Sequence, residues 1–542
     1  MRTLLTLLAG TMSMAGSAQW SIDPADPMLV APGTGGTAEM EAISDGADGY
    51  YAFWRDKRAD GTNYDVYGQR FDAAGNALWT PDGALLFHQD SATTYEFSAM
   101  RSEAGHIFLA TIAGSGTFTQ DLKVMKLDAD GTMLWDSAVT VTSTGNPVLG
   151  LSELAMTPTS DGAILGWYDI YFGGSSGVNV ARVTNDGDLP WAGDGYAIPY
   201  ATYGPFDLLP DGADGVMVNW REGNGLGAGF QCMRVDSSGA NAWNANVITN
   251  AGAPGFGGSH MVTSGPDASL LLVYADAQGK LRLAGLDTSG NVVLDASTAV
   301  VCPYASDQAS PHMVRQGNQI TVVWTDNRPP ASNRDLYMQR LSLTGELQLD
   351  TNGVQVIHTN TYIPTAGLVA SLNGGVIGTI DGSVDGYSAM RMNADGTPAW
   401  TAPTAFCTPA NNPFYEEQVQ LADGTGGVVS FWRTSTGNIH GARIYANGDL
   451  GDHTGMAEGV HGPAALQVFP VPATGPFTVV VQEGETPRSV QAMDAAGRRV
   501  TLAFQCHGDR VLVDPAPLAD GVHTLRVVTA EGVRSGRVLV AH

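Results

Sequence analysis

One short turn recurs eight times along this chain and constrains its fold more than any other feature. It reads Asp-x-x-Gly or a close variant, and its glycines are Gly75, Gly131, Gly187, Gly239, Gly290, Gly345, Gly396 and Gly448, spaced by 51 to 56 residues. Four residues beyond the glycine stands Trp79, Trp135, Trp191, Trp243 or Trp400, with Leu294 and Leu349 holding that place twice. A near-fixed period of this length means one supersecondary unit repeated, whose apolar faces are covered by its neighbours.

Each unit divides in the same way. A short apolar segment such as Met313-Val314 comes first, then a Gly- or Asp-rich turn. A strongly apolar segment ending in an aromatic follows, as in Tyr51-Ala-Phe-Trp54, Thr321-Val-Val-Trp324 and Val428-Val-Ser-Phe-Trp432. A third segment runs into the Asp-x-x-Gly turn, and a fourth is expected to start at the Trp. No segment has helical periodicity. Four antiparallel strands repeated eight times predict an all-β chain whose main domain, residues 19–451, is an eight-bladed β-propeller. The Trp and Leu of the repeat are then packing between blades. Trp20-Ser-Ile-Asp-Pro resembles Trp79-Thr-Pro-Asp-Gly, and the eighth repeat lacks a fourth strand of its own. Residues near 20–32 are therefore expected to complete the last blade.

With 68 glycines and only 15% charged residues, the composition suits short strands and turns. The net charge of −27 argues against nucleic acid and anionic membranes as partners. Residues 1–18 read as a signal peptide: Arg2, an apolar core from Leu4 to Ala9, and small residues at Ala15-Gly-Ser-Ala18. No later stretch is long and apolar enough to predict a membrane span. The expected location is secreted or on the outer cell surface. The four cysteines, Cys232, Cys302, Cys407 and Cys506, form no CxxC and read as buried free thiols.

Residues 452–463 form a linker, and 464–542 read as a small C-terminal β-sandwich. Three motifs there resemble, in order, those of the C-terminal sorting domain of type IX secretion cargo, known from Bacteroidota. Phe469-Pro470-Val-Pro472 resembles the opening Pro-Asn-Pro. Asp494-Ala-Ala-Gly497-Arg498 resembles the Asp-x-x-Gly-Arg turn, and Leu518-Ala-Asp-Gly521-Val-His523 the Leu-x-x-Gly-x-Tyr signature. Val471 and His523 depart from the usual Asn and Tyr. The resemblance implies the type IX machinery as a partner and says nothing of what the main domain does.

Chemistry is less legible. The turn-to-Trp phrase invites comparison with the Asp boxes of sialidase-like propellers, where the Gly-to-Trp gap is one residue shorter, and with the docking motif of quinoprotein dehydrogenases, whose Gly-to-Trp gap it fits but whose longer Asp-to-Gly distance and adjacent cysteine pair it lacks. No Ser-His-Asp order or Gly-x-Ser-x-Gly elbow stands out. In seven of the eight units the start of the first strand, which lines the channel of a propeller, carries an acid or a histidine: Glu41, Glu96, Glu153, Asp207, His260, His312 and Glu417. Such a ring is a candidate site for a divalent cation or a ligand. Its bland alternative is a wet channel mouth. Asp45-Gly-Ala-Asp-Gly and Asp211-Gly-Ala-Asp-Gly fall short of a calcium loop and read as hairpin turns. In Trp54-Arg-Asp-Lys-Arg58 and Trp324-Thr-Asp-Asn-Arg328, an Asp and an Arg on two strands are expected to pair across the blade. The function read from all this is binding, of a glycan or a surface protein; the alternative is an extracellular polysaccharide hydrolase or lyase.

Overall fold

A computed structural model describes residues 20–451 and 467–541, apart from 117, 146–147, 172–175, 192–194, 199–205, 222–229, 244–245, 250–259, 265–268, 277, 297, 329–334, 359–364, 381–385, 470–472, 481–486, 488, 494–498, 508–509 and 529–532. The expected signal peptide, residues 1–18, and the expected linker, residues 452–463, lie outside the described residues. The chain divides into two compact units, Met1–His453 and Thr454–His542.

The described residues of the first unit form eight four-stranded antiparallel sheets. Sheet one is Ala38–Ser44, Tyr50–Asp56, Asp65–Phe71 and Ala84–Phe87, in that spatial order. Sheets two to eight repeat the order, with first strands Thr93–Arg101, Val148–Thr159, Phe206–Pro210, His260–Ser264, Gln308–Gln316, Thr365–Ala370 and Pro413–Ala422. Helix is confined, among the described residues, to three short 3₁₀ turns. The second strands are apolar almost throughout, as in Tyr50–Asp56 and Gln319–Asp326, because both faces of each sheet are covered. The cores lie between successive sheets. Phe53 and Val66 of sheet one, for example, pack with Phe97, Leu109 and Met125 of sheet two. The first strands of successive sheets lie side by side, and that of sheet eight lies beside that of sheet one.

The N-terminal segment does what its likeness to the repeat suggests. Met28–Ala31 pairs antiparallel with Ile439–Ile444 as the fourth strand of sheet eight, Met28 opposite Gly441. Trp20 is buried against Tyr50 and Phe71 of sheet one and Phe431 of sheet eight.

The repeated Trp differs from expectation in one respect. It precedes the fourth strand rather than opening it: Trp79 stands before Ala84–Phe87, and Trp135 before Val139–Ser143. The reason is a contact with the next sheet. Trp135, Trp191, Trp243 and Trp400 donate their indole N–H to the carbonyls of Asn185, Ser237, Thr288 and Ala446, at 2.9 to 3.2 Å. Each acceptor is the second residue of the following Asp-x-x-Gly turn. Trp20 makes the same bond to Ala73 at 3.0 Å and so serves as the tryptophan of sheet eight. A cation from the third strand often shares the carbonyl, as Arg182 does at Ser237 and Arg443 at Ala73. The turn glycine is required twice over. Gly239 has φ +84°, and a Cβ there would stand 2.9 Å from the Trp191 ring. The left-handed backbone alone costs an L-residue about 1–2 kcal/mol, before any clash.

In the second unit, two four-stranded antiparallel sheets share one core, with Phe477, Val479 and Val511 of one facing Val490, Leu525 and Val538 of the other. Of the residues expected to form a sorting signal, Pro470, Pro472, Asp494, Gly497 and Arg498 lie outside the described residues. Gly521 opens the strand Gly521–Val528 at φ +139°, and His523 is buried with Nε2 2.8 Å from the carbonyl of Ala519. Cys232, Cys302 and Cys407 are buried free thiols, but Cys506 is exposed because its strand, Phe504–His507, is an edge of its sheet.

Candidate functional site

The two ends of each sheet differ. Tight turns join first to second and third to fourth strands at one end; the other carries the connections from second to third strand and from one sheet to the next. At this second end the first strands of sheets one, two, three, six, seven and eight each slip register against the second strand, as between Ala38 and Met40 or between Pro413 and Gln418. A bulge inserts an unpaired residue and re-aims the side chains around it. Glu39, Glu153 and Ser310 sit in these bulges at φ +39°, +56° and +49°. Non-glycine residues in that region cost about 1–3 kcal/mol each and collect at functional sites.

The bulges split the expected ring into two rows. Glu39, Glu153 and Glu417 lie in the bulges of sheets one, three and eight, and Glu96 stands directly past the bulge of sheet two, opposite Ile112. Glu41, Asp207 and His312 stand further in, opposite Phe53, Asn219 and Val323 of their second strands. His260 stands opposite Tyr274 in the backbone register, and its side chain lies outside the described residues. Among the described residues, no group of three or more His, Cys, Asp or Glu is placed to hold a metal ion. The inserted residues put the first strands out of register with each other, so those of the seven whose side chains are described do not form one such group.

Several of these acids join one sheet to the next. Glu41 accepts the N–H of Ala99 at 2.6 Å, and Glu96 that of Leu154 at 3.1 Å. Asp207 accepts from the Asn219 amide at 3.0 Å within sheet four. Burial pushes the Glu41 carboxyl up to about 8, against the pull of the Ala99 N–H.

The bulge row is different, because two arginines meet it. Arg55 lies 2.7 Å from Glu39, donates to the carbonyls of Thr94 and Tyr95, and stands over the Tyr64 ring at 4.9 Å. Arg433 forks onto Glu417, with Nη2 to Oε1 at 2.8 Å and Nε to Oε2. Burial raises Glu39 to about 7; Arg55 opposes the rise, and the charges of Glu96 and Glu417 add to it. Burial also raises Glu96, partly offset by the Leu154 N–H. Glu39, Arg55 and Arg433 were not singled out in the sequence. A signal was present: each arginine follows the aromatic that ends a second strand, in Trp54-Arg55 and Trp432-Arg433. The cluster offers acceptors and fixed donors side by side, with one carboxyl exchanging its proton near neutrality.

Two other constellations are structural. Asp45, Asp211 and Asp423 each cap their hairpin through backbone N–H groups two and four residues on, and pair with Arg70, Arg234 and Arg443. The shared phrase of repeats one and six pairs differently from expectation. Arg58 binds Asp56 and Arg328 binds Asp326, two residues apart at one strand end rather than across two strands. The guanidinium then lies on the aromatic of the third strand, Tyr67 or Tyr337, which fixes it there.

No protein-family model matches the chain, and no curated protein matches it. Among solved structures, a lectin from Burkholderia pseudomallei is similar at 11% identity, over 66% of this chain and 98% of that one, with a TM-score of 0.41. A polysaccharide lyase, Uly1, is similar at 11% identity over 56% of this chain and 77% of that one, with a TM-score of 0.37. An alpha-L-arabinofuranosidase from Fusarium graminearum reaches 11% identity over 61% and 99%, with a TM-score of 0.30. At such scores the likeness says nothing of site or substrate.

Proposed function

We propose that the first unit is a closed eight-bladed β-propeller that binds a neutral glycan at the bulged ends of the first strands of sheets eight, one, two and three. The closed ring is supported by the packing of sheet eight on sheet one and by the strand Met28–Ala31. The observation that carries the binding reading is the convergence of Glu39, Glu96 and Glu417 with Arg55 and Arg433 on one rim. Sugar hydroxyls both donate and accept, so they pair with carboxylates and guanidinium groups together. The acidic surface disfavours polyanionic glycans.

The test is an array of neutral oligosaccharides followed by titration calorimetry. The wild type is expected to retain one sugar class, and the double variant E39Q/E96Q to bind it at least tenfold more weakly while still unfolding in one cooperative transition. Equal binding by the double variant, or no retained sugar, overturns the reading. A second reading, hydrolysis or elimination on the same glycan, is favoured by one observation. Glu39 holds its proton to about 7 beside Glu417, which is forked onto Arg433, and acid–base chemistry on glycosidic bonds needs two carboxyl groups in unlike environments. New reducing ends from the retained sugar, lost in E39Q, would favour it over binding alone.

The proposal extends to export through the type IX machinery to the outside of the cell, supported by the ordered motifs of residues 464–542. A chain truncated after residue 463 is expected to stay inside the outer membrane in a host with that system, while the full chain reaches the surface or medium. Equal export of both would overturn it.

A further inference from the structure

The rule that links each sheet to the next fails at three junctions: the Trp79 indole N–H has no hydrogen-bond partner among the described residues, and Leu294 and Leu349 take the tryptophan's place in sheets five and six. In five places an indole fills the gap between its own sheet and the next turn, and donates to that turn's second carbonyl. In sheet six the place is held by Leu349, and the matching carbonyl in sheet seven is that of Ala394. Arg340, whose counterparts Arg391 and Arg443 donate to such a carbonyl, turns to Gly374 at 3.3 Å. No donor among the described residues reaches Ala394 O.

A groove of about 700 Å³ opens there, lined by Gln319, Arg340, Leu349, Asp350, Val354 and Ala394 among others. The buried Oε1 of Gln319 accepts no hydrogen bond among the described residues. A buried acceptor left unmet is costly, so turning the Gln319 amide toward a donor in the groove relieves that cost. The wall is apolar at Leu349 and Val354, and the Arg340 guanidinium offers a flat cationic face of the kind that stacks on aromatics.

We infer that this groove is a second binding site, at the turn end of the sheets, for a planar aromatic group that carries an N–H and has about the size of an indole. The protein itself supplies the template, since an indole with the same bond occupies the corresponding gap five times. The site is separate from the rim of glutamates and does not depend on the glycan reading.

The test uses indole, 1-methylindole and N-acetyl-tryptophanamide on the full chain, read by saturation-transfer NMR and titration calorimetry. Indole is expected to bind saturably. 1-Methylindole, which lacks the N–H, is expected to bind at least tenfold more weakly, and Q319L to weaken indole at least fivefold. L349W is expected to abolish binding and raise the melting temperature, because its own ring takes the place. Tighter binding of N-acetyl-tryptophanamide than of indole identifies a tryptophan presented by a polypeptide as the source; the reverse identifies a free small heteroaromatic. Absence of saturable indole binding, equal affinity for 1-methylindole, or full binding by L349W overturns the inference. The 1-methylindole and Q319L comparisons decide it even if L349W does not fold.

Discussion

Deleting residues 20–31 is expected to lower the melting temperature of the first unit by about 10 °C and to make it prone to association. Trp20 alone is buried to 1% exposure, touches three aromatic rings and donates to Ala73 O. Truncating such a side chain costs about 3–5 kcal/mol. Met28 and Val30 are buried at 5%, and each adds about 1.5–3 kcal/mol. Together these come to about 6–11 kcal/mol. For a unit of this size, at about 2.1 cal/mol/K per residue, each kcal/mol moves the melt by about 1 °C. The deletion also strips the partner from Ile439–Ile444 and leaves an open edge, which recruits other chains. W20A should give about 4 °C on its own, and W20F rather less, because it keeps most of the ring packing and loses the N–H bond. Differential scanning calorimetry of the three chains checks this. An unchanged melt on deletion would mean that the N-terminal segment does not hold the ring.

The same segment shows why the fold was legible. A turn that needs positive φ admits little but glycine, and the close approach of a tryptophan ring to that glycine allows no side chain in its place. Gly239 and Trp191 thus constrain each other across two sheets, and the pair survives as a visible phrase. The N-terminal Trp20 could be matched to it for the same reason. The rim was less legible. In a regular strand Glu39 and Glu41 would point the same way, two residues apart. The bulge between Ala38 and Met40 separates them, sending Glu39 to Arg55 and Glu41 to Ala99. Nothing in Ala38-Glu-Met-Glu41 marks an inserted residue, so acids from two rows were read as one ring. The indole hydrogen bond was also hidden, because a packing tryptophan and a donating tryptophan look alike in sequence.

The second large effect is on the pH dependence of stability, and it falls on Glu41. Its carboxyl is held up to about 8 by burial, against a usual value of 4.5. Below 4.5 the folded and unfolded chains both carry the proton, and Glu41 favours neither. Between 4.5 and about 8 the unfolded chain has lost the proton while the folded chain keeps it, so the unfolded chain gains and stability falls as pH rises. The slope for one group is about 1.4 kcal/mol per pH unit, and the fall ends above about 8. Three and a half units put the upper bound near 5 kcal/mol. The groups that face this carboxyl are the Ala99 N–H and the Ser98 hydroxyl from sheet two and the Glu39 carboxyl from its own strand. Burial raises Glu39 and Glu96 as well, so the wild-type curve alone does not isolate Glu41. The comparison with E41Q does. Glutamine keeps the shape and the acceptor for Ala99 but has no proton to lose. E41Q is therefore expected to match the wild type at pH 4.5 and to exceed it at pH 8, by about 2–4 kcal/mol after relaxation of the site. Urea unfolding of both chains at several pH values measures the gap directly. A gap that is constant with pH, or one that closes toward pH 8, would show that the Glu41 carboxyl is ionised in the folded protein and that burial does not govern it.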